Sequence, residues 1–233
     1  MLQGEGRRAP LNRDRVLRAA VALADETGID ALSMRNLAER LGVVPMALYK
    51  HVANKEELLD GMVEVVVGEI DPPPRGAEWK DAVRQRILSA RGTLLRHGWA
   101  SAVIQSRTHA PPAVLAYMDS LIGTFRAGGF SADLTHHVMH ALGIRMWGFT
   151  QEVFPTPQPP ADPDARAAMF GEFAARYPHI VDMATAVSDD GGMAGGAGCD
   201  DQFEFEFALD LLLDGFERLH QGGWTSARSV PSA

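Results

Sequence analysis

Cysteine is nearly absent: Cys199 stands alone among 233 residues, which excludes an internal disulfide and a thiolate-rich zinc site. No apolar run approaches the roughly 20 residues that span a bilayer. The N-terminal stretch MLQGEGRRAPLNRDR carries charge but no apolar signal-peptide core, so a cytoplasmic protein without membrane contact is expected. Enzyme signatures are also missing. The chain shows no GxSxG, no P-loop, no dinucleotide fingerprint and no catalytic carboxylate pair at a defined spacing. No internal repeat is visible. Positive charge is in short supply, with a net charge of −8. That sum counts against a polyanionic partner, but its distribution matters more. Residues 1–58 hold nine Lys and Arg against eight Asp and Glu, and Arg7, Arg8, Arg13, Arg15 and Arg18 crowd the first eighteen positions. The acidity belongs to the remainder of the chain.

The sequence does contain helical patterning throughout. Hydrophobic residues at 46% and charged residues at 22% are ordinary for a soluble globular chain. Asn12 is a good N-cap for a helix running through RDRVLRAAVALADET to Gly28, with Val16, Ala20 and Leu23 on one stripe. Ser33 caps a second helix, MRNLAERL, which Gly42 ends. Pro45 suits the first position of a third, running to Val52 and anchored by Leu48 and Val52. Asn54 and Glu57 have capping-box spacing, opening a fourth helix that ends before Asp71-Pro-Pro-Pro, the best domain boundary. Beyond it, helices are predicted over 79–97, 112–127, 131–154, within ARAAMFGEFAARY, and from Asp200 or Asp201 through QFEFEFALDLLLDGFERLH. Residues 184–199 read as low-complexity.

Short helices joined by a glycine turn make a helix-turn-helix, whose last helix needs only two turns to meet base edges. Met46 and Ala47 can meet thymine methyls. Tyr49, Lys50 and His51 can bond phosphates or bases, and Lys55 stands where a helix N-terminus meets a phosphate. The same spacing also fits a helical hairpin inside a core. An enzyme using bundle histidines and a helical protein–protein adaptor are the competing functional classes.

The run GIDALSMRNLAERLGVVPMALYKHVANKEELLDGM, with LNRDRVL before it, resembles the N-terminal domain of the tetracycline-repressor (TetR) family of transcriptional regulators over about residues 11–65. Trp79 to Phe154 and FEFALDLLLDGFE resemble the C-terminal domain of the subgroup nearest the tetracycline repressor. The resemblance implies an all-α protein: a DNA-binding domain over 1–60, with 1–10 a flexible basic arm, a helical effector-binding and dimerisation domain over 61–221, and a disordered tail over 222–233. It implies that Ser33, Met34 and Arg35 touch backbone or base edges, that Pro45, Met46, Ala47, Tyr49, Lys50 and His51 read DNA, and that Lys55 clamps a phosphate. No Gln, Asn or Arg stands at 45–47, so specificity is expected to lean on Arg35, methyl contacts and the arginine-rich arm.

The family's usual role implies a repressor that binds a palindromic operator as a homodimer and is released by a small-molecule effector. The last helix is apolar round too much of its circumference for a one-sided surface helix, so Phe203, Phe207, Leu209, Leu212, Leu213 and Phe216 are dimer candidates, with the 131–154 helix beside them. Polar and aromatic residues in apolar stretches are candidates for the effector pocket: His97, Trp99, Arg107, His109, Tyr117, Met118, His137, His140, Met146 and Trp147. His136 and His140, at i and i+4, could share a metal on one helical face, but no Glu follows His136, so HExxH is absent and neither metal nor cofactor is predicted. Tetracycline–magnesium recognition is not carried over, because pocket residues diverge freely within such families.

Overall fold

In a computed structural model, which describes residues 10–148, 160–187 and 200–229, every regular element among the described residues is a helix. The chain divides into two compact units, Met1–Phe149 with Leu209–Ala233, and Thr150–Ala208. The start of the arginine-rich arm, the 149–154 end of the expected 131–154 helix, most of the low-complexity run and the last four residues lie outside the described residues.

The first four helices form as their caps dictate. Asn12 Oδ1 accepts from Arg15 N at 2.8 Å and opens α1 (Arg13–Thr27). Ser33 Oγ accepts from Asn36 N at 3.1 Å and opens α2 (Met34–Leu41). Gly42 then takes a φ of 66°, a left-handed conformation that side chains with a Cβ resist, and turns the chain into α3 (Pro45–Leu48). This third helix is shorter than the predicted run to Val52; hydrogen-bonded turns continue it instead, His51 N and Val52 N both donating to Leu48 O. Before α4 (Lys55–Val67) bonds run in both directions, with the return bond one residue upstream of the N-cap: Asn54 Oδ1 accepts from Glu57 N, and Glu57 Oε2 accepts from Ala53 N. Val16, Leu17, Ala20 and Leu23 are buried on α1, as are Leu58, Met62 and Val66 on α4, and these two helices pack together.

After the proline run come α5 (Trp79–Arg96), α6 (Ala100–Ser106), α7 (Pro112–Ala127) and α8 (Ala132–Leu142). The linker is tied to α5, since Asp71 N donates to Ser89 Oγ and Asp71 O accepts from Arg86. Two expectations fail here. The helix predicted over 131–154 breaks at Gly143, where φ is 49° and ψ is −128°, and a 3-10 turn follows to Trp147. Only glycine adopts that backbone without strain. The broken segment is held by bonds that an unbroken helix could not make: Tyr117 donates to Met146 O, and Arg91 donates to Gly148 O at 2.6 Å. Second, the tail from Gly222 is structured as far as Ser229, with Ser226 donating to Asp133 through its backbone N at 2.7 Å and its hydroxyl at 2.8 Å.

In the second unit, Asp162 caps α9 (Pro163–Arg176), which packs with α10 (Pro178–Val187) and has no buried residue. Asp200 caps α11 (Asp201–Gln221), settling the choice of opening residue; this helix begins in the second unit and from Leu209 belongs to the first. Helical spacing wins over the short Phe-Glu-Phe alternation: Phe205, Leu209, Leu213 and Phe216 are buried on one side of α11. Among the described residues, no helix is long and apolar enough to cross a membrane.

Candidate functional site

Two places concentrate chemistry: the outer face of α2, α3 and the start of α4, and a cavity walled by α6, α7 and α8. On α3 the anchors are sealed, Leu48 at 0% and Val52 at 1% relative exposure, while Met46 is 71% exposed and Tyr49 44%. Pro45, Lys50, Arg35 and Lys55 are exposed too; Ser33, Met34, Ala47 and His51 are partly so. The predicted DNA-reading residues therefore share the solvent side of this segment. Val44, not predicted, is 67% exposed directly before Pro45 and adds a further apolar side chain.

Charge is arranged to match. Arg13 meets Glu64 at 3.4 Å, Arg18 meets Asp14 at 2.9 Å and Arg40 meets Glu26 at 2.5 Å, so these arginines are neutralised inside the chain. The side chains of Arg35, Lys50 and Lys55 have no hydrogen-bond or ion-pair partner among the described residues. Ser33 Oγ accepts one bond as N-cap and keeps its proton to donate. Such a surface offers cations, a hydroxyl and methyl-sized apolar tips together, as phosphate and base-edge contact requires.

The cavity has a volume of about 760 Å³. Four of the predicted pocket residues line it, Met118, His140, Met146 and Trp147, together with Ser101, Ile104, Gln105, Ile122, Arg126, Thr135, His136 and Met139. Tyr117 stands behind this wall: its ring stacks on Trp147 at 4.7 Å, and burial pushes its phenol well above the ordinary value. His136 and His140 lie 4.6 Å apart, ring centre to ring centre; no cluster of three potential metal ligands exists among the described residues.

The other predicted pocket residues serve elsewhere. His97 and Trp99 hold α1: His97 Nδ1 lies 2.9 Å from Asp25 Oδ1, and Trp99 Nε1 donates to the same oxygen at 2.7 Å. His97 Nε2 faces Glu69 at 3.3 Å. Burial acts to raise the Glu69 carboxyl, but the bonds from His97 and Arg96 outweigh it and hold that group below its ordinary value. Arg107 reaches α4, meeting Glu56 at 2.7 Å and Asp60 at 3.3 Å. His109 is exposed, 3.9 Å from Asp60. His137 borders a smaller cavity of about 280 Å³ beside Trp224. On α11, Phe203 and Phe207 are exposed, Leu212 is partly so, and Leu209, Leu213 and Phe216 are buried within the chain.

Known proteins share this layout. Residues 16–62 match the bacterial regulatory proteins of the tetR family, and residues 72–220 match the tetracyclin repressor-like C-terminal domain. A helix-turn-helix transcriptional regulator of Saccharopolyspora erythraea is 37% identical over 121 residues, 52% of this chain and 51% of that protein. The class D tetracycline repressor of Escherichia coli is 44% identical over 92 residues, 38% of this chain and 42% of the repressor. The matched stretch thus spans about half the length of these curated relatives. Apo ActR from Streptomyces coelicolor aligns with a TM-score of 0.68 at 25% identity, covering 93% of this chain and 99% of that one. ActR has also been solved with actinorhodin and with (S)-DNPA bound. With one family model on the N-terminal helices and another across most of the remaining chain, the protein belongs to the TetR family of bacterial transcriptional regulators.

Proposed function

We propose that this chain is a ligand-responsive transcriptional repressor, binding a palindromic operator as a homodimer and releasing it when a small molecule fills the cavity. The observation that carries the reading is the placement of α6. Its residues Ser101, Ile104 and Gln105 wall the cavity, and both of its flanks are bonded to the N-terminal helices. On one side Trp99 and His97 hold Asp25 of α1; on the other, Arg107 holds Glu56 and Asp60 of α4. A ligand that shifts α6 must therefore strain or move α4, whose start belongs to the DNA-facing surface, and α1, on which α2 packs. That the similar ActR has been solved in complex with small molecules supports a ligand-responsive reading.

The energetics follow from linkage. Two heads on one duplex face half-sites about 34 Å apart, so a ligand that prefers another head spacing lowers operator affinity by its differential affinity for that state. Couplings of this kind are typically about 1–3 kcal/mol, or roughly 5- to 150-fold. The DNA contact comes from Arg35, Lys50, Lys55 and the hydroxyls of Ser33 and Tyr49 on phosphates or base edges, with Met34, Pro45, Met46, Ala47 and His51 completing the face. The test is binding of the purified protein to the duplex beside its own gene at two salt concentrations, repeated with Tyr49→Ala plus Lys50→Ala. Specific binding that weakens steeply with salt and disappears in the double variant is expected. A folded protein that selects no sequence from a random duplex pool sinks the reading.

A further inference from the structure

Acidic residues outnumber basic ones in this chain, 30 to 22. The cavity reverses that balance. Among the described residues no Asp or Glu lines it, whereas Arg126, His136 and His140 do. Three cations elsewhere in the same unit, by contrast, are ion-paired: Arg84 meets Asp210 at 2.7 Å, Lys80 meets Asp214 at 2.6 Å, and Arg107 meets Glu56 at 2.7 Å. Arg126 has no carboxylate within ion-pair distance among the described residues; it donates through Nη1 to the carbonyl of Phe130. Arg126 is exposed at the cavity wall, and a guanidinium keeps its charge at any working pH and presents five donors, so donors beyond the one bound to Phe130 are open to a ligand.

The rest of the wall is soft and apolar. Met118, Met139 and Met146 contribute thioethers, which attract aromatic rings and adapt to their outline. Trp147 is fixed in place by its stack on Tyr117, and the chain on either side of it is held by the bonds to Met146 O and Gly148 O. An aromatic surface that cannot turn away, next to three methionines, suits a flat ring system better than a flexible chain.

We propose that the effector is an aromatic acid: a flat, apolar body between the methionines and Trp147, with a carboxylate or acidic phenol at Arg126 and the His136–His140 pair. The proposal rests on the cavity being the effector site. An anion gains charge-assisted bonds there, whereas an amine of the same shape sets a second positive charge against Arg126.

The experiment titrates the full chain with three probes that share one ring system: anthracene-9-carboxylic acid, 9-anthracenemethanol and 9-(aminomethyl)anthracene, read by quenching of tryptophan fluorescence. The acid is expected to bind at least about tenfold tighter than the alcohol, as a single charged hydrogen bond implies, with the amine weakest. Arg126→Gln brings the acid to the alcohol's affinity and leaves the alcohol unchanged; Arg126→Lys retains the preference. Equal binding of acid and alcohol overturns the acid assignment while leaving the cavity as a ligand site. Equal weakening of all three probes by Arg126→Gln overturns it too, by making Arg126 structural. Binding of none of them overturns both the acid and the cavity reading.

Discussion

Leu48 and Val52 seal the inner side of the α3 segment while Met46 and Tyr49 stand outside it, so single residues there carry separable jobs. Leu48→Ala opens a hole under the DNA-facing surface, and losses for such buried truncations run about 2–5 kcal/mol. Urea denaturation should show that destabilisation together with lost operator binding, while a cavity ligand still binds below the transition. Arg35→Ala and Lys50→Ala should differ in kind. A base-edge contact by Arg35 is worth about 1–3 kcal/mol, and its loss relaxes operator preference; a phosphate contact by Lys50 weakens every duplex alike and lowers the salt slope by about one. Fluorescence anisotropy with matched and scrambled duplexes tells these apart, and an unchanged preference in Arg35→Ala removes it from the reading role. Residues whose work is local were legible from sequence. Asn12, Ser33 and Asn54 cap within three residues of themselves, and Leu48 and Val52 follow helical spacing. His97, Trp99 and Arg107 were not legible, because a polar residue in an apolar stretch looks the same whether it meets a ligand or a carboxylate 47 to 74 positions away.

Among elements, α6 has seven residues, too few to show a helical period in sequence, yet like α7 it both lines the cavity and packs on α4, and its flanks alone carry the bonds to Asp25, Glu56 and Asp60 described above. The break at Gly143 has no local signal in the sequence: ALGIRMWGF continues a helical pattern, and the bonds from Tyr117 and Arg91 that hold the turn are tertiary. If α6 transmits, Arg107→Ala should leave operator binding and cavity binding close to wild type when each is measured alone. Effector-driven release should shrink toward no effect, and an undiminished release would put the coupling elsewhere. The turn after α4 gives a pH prediction. Glu69 is held below its ordinary value of 4.5, so its bonds to His97 and Arg96 add stability above that value and lose it as pH falls further. Thermal melts of wild type and Glu69→Gln should differ at neutral pH and converge in acid. A gap that stays constant down to acid pH would mean the carboxylate contributes through packing rather than charge.

At the scale of the whole molecule, α11 sorts its apolar residues to two sides. Phe205, Leu209, Leu213 and Phe216 are buried, whereas Phe203, Phe207 and Leu211, spaced four apart, are 62%, 55% and 55% exposed. The excess of apolar character was visible in the sequence; which half faces inward was not, since both halves repeat at helical spacing. Three large apolar side chains in a row on one exposed stripe resemble an interface core without its partner. A second copy is the partner that the proposed two half-sites require, and a two-fold contact sets the same stripe against itself. Phe203→Glu with Phe207→Glu places four carboxylates in that contact, two from each copy, and like charges brought together there oppose pairing. Sedimentation at micromolar concentration should give a dimer for the wild type and a monomer for the variant. The bonds that build the cavity all lie within residues 86–148 and are untouched, so a cavity ligand should bind both forms alike. Operator affinity should collapse in the monomer, because one head gains only the contacts of one half-site. A variant that remains dimeric would move the interface off this stripe. A monomer that still holds the full operator at wild-type affinity would remove the need for a dimer altogether.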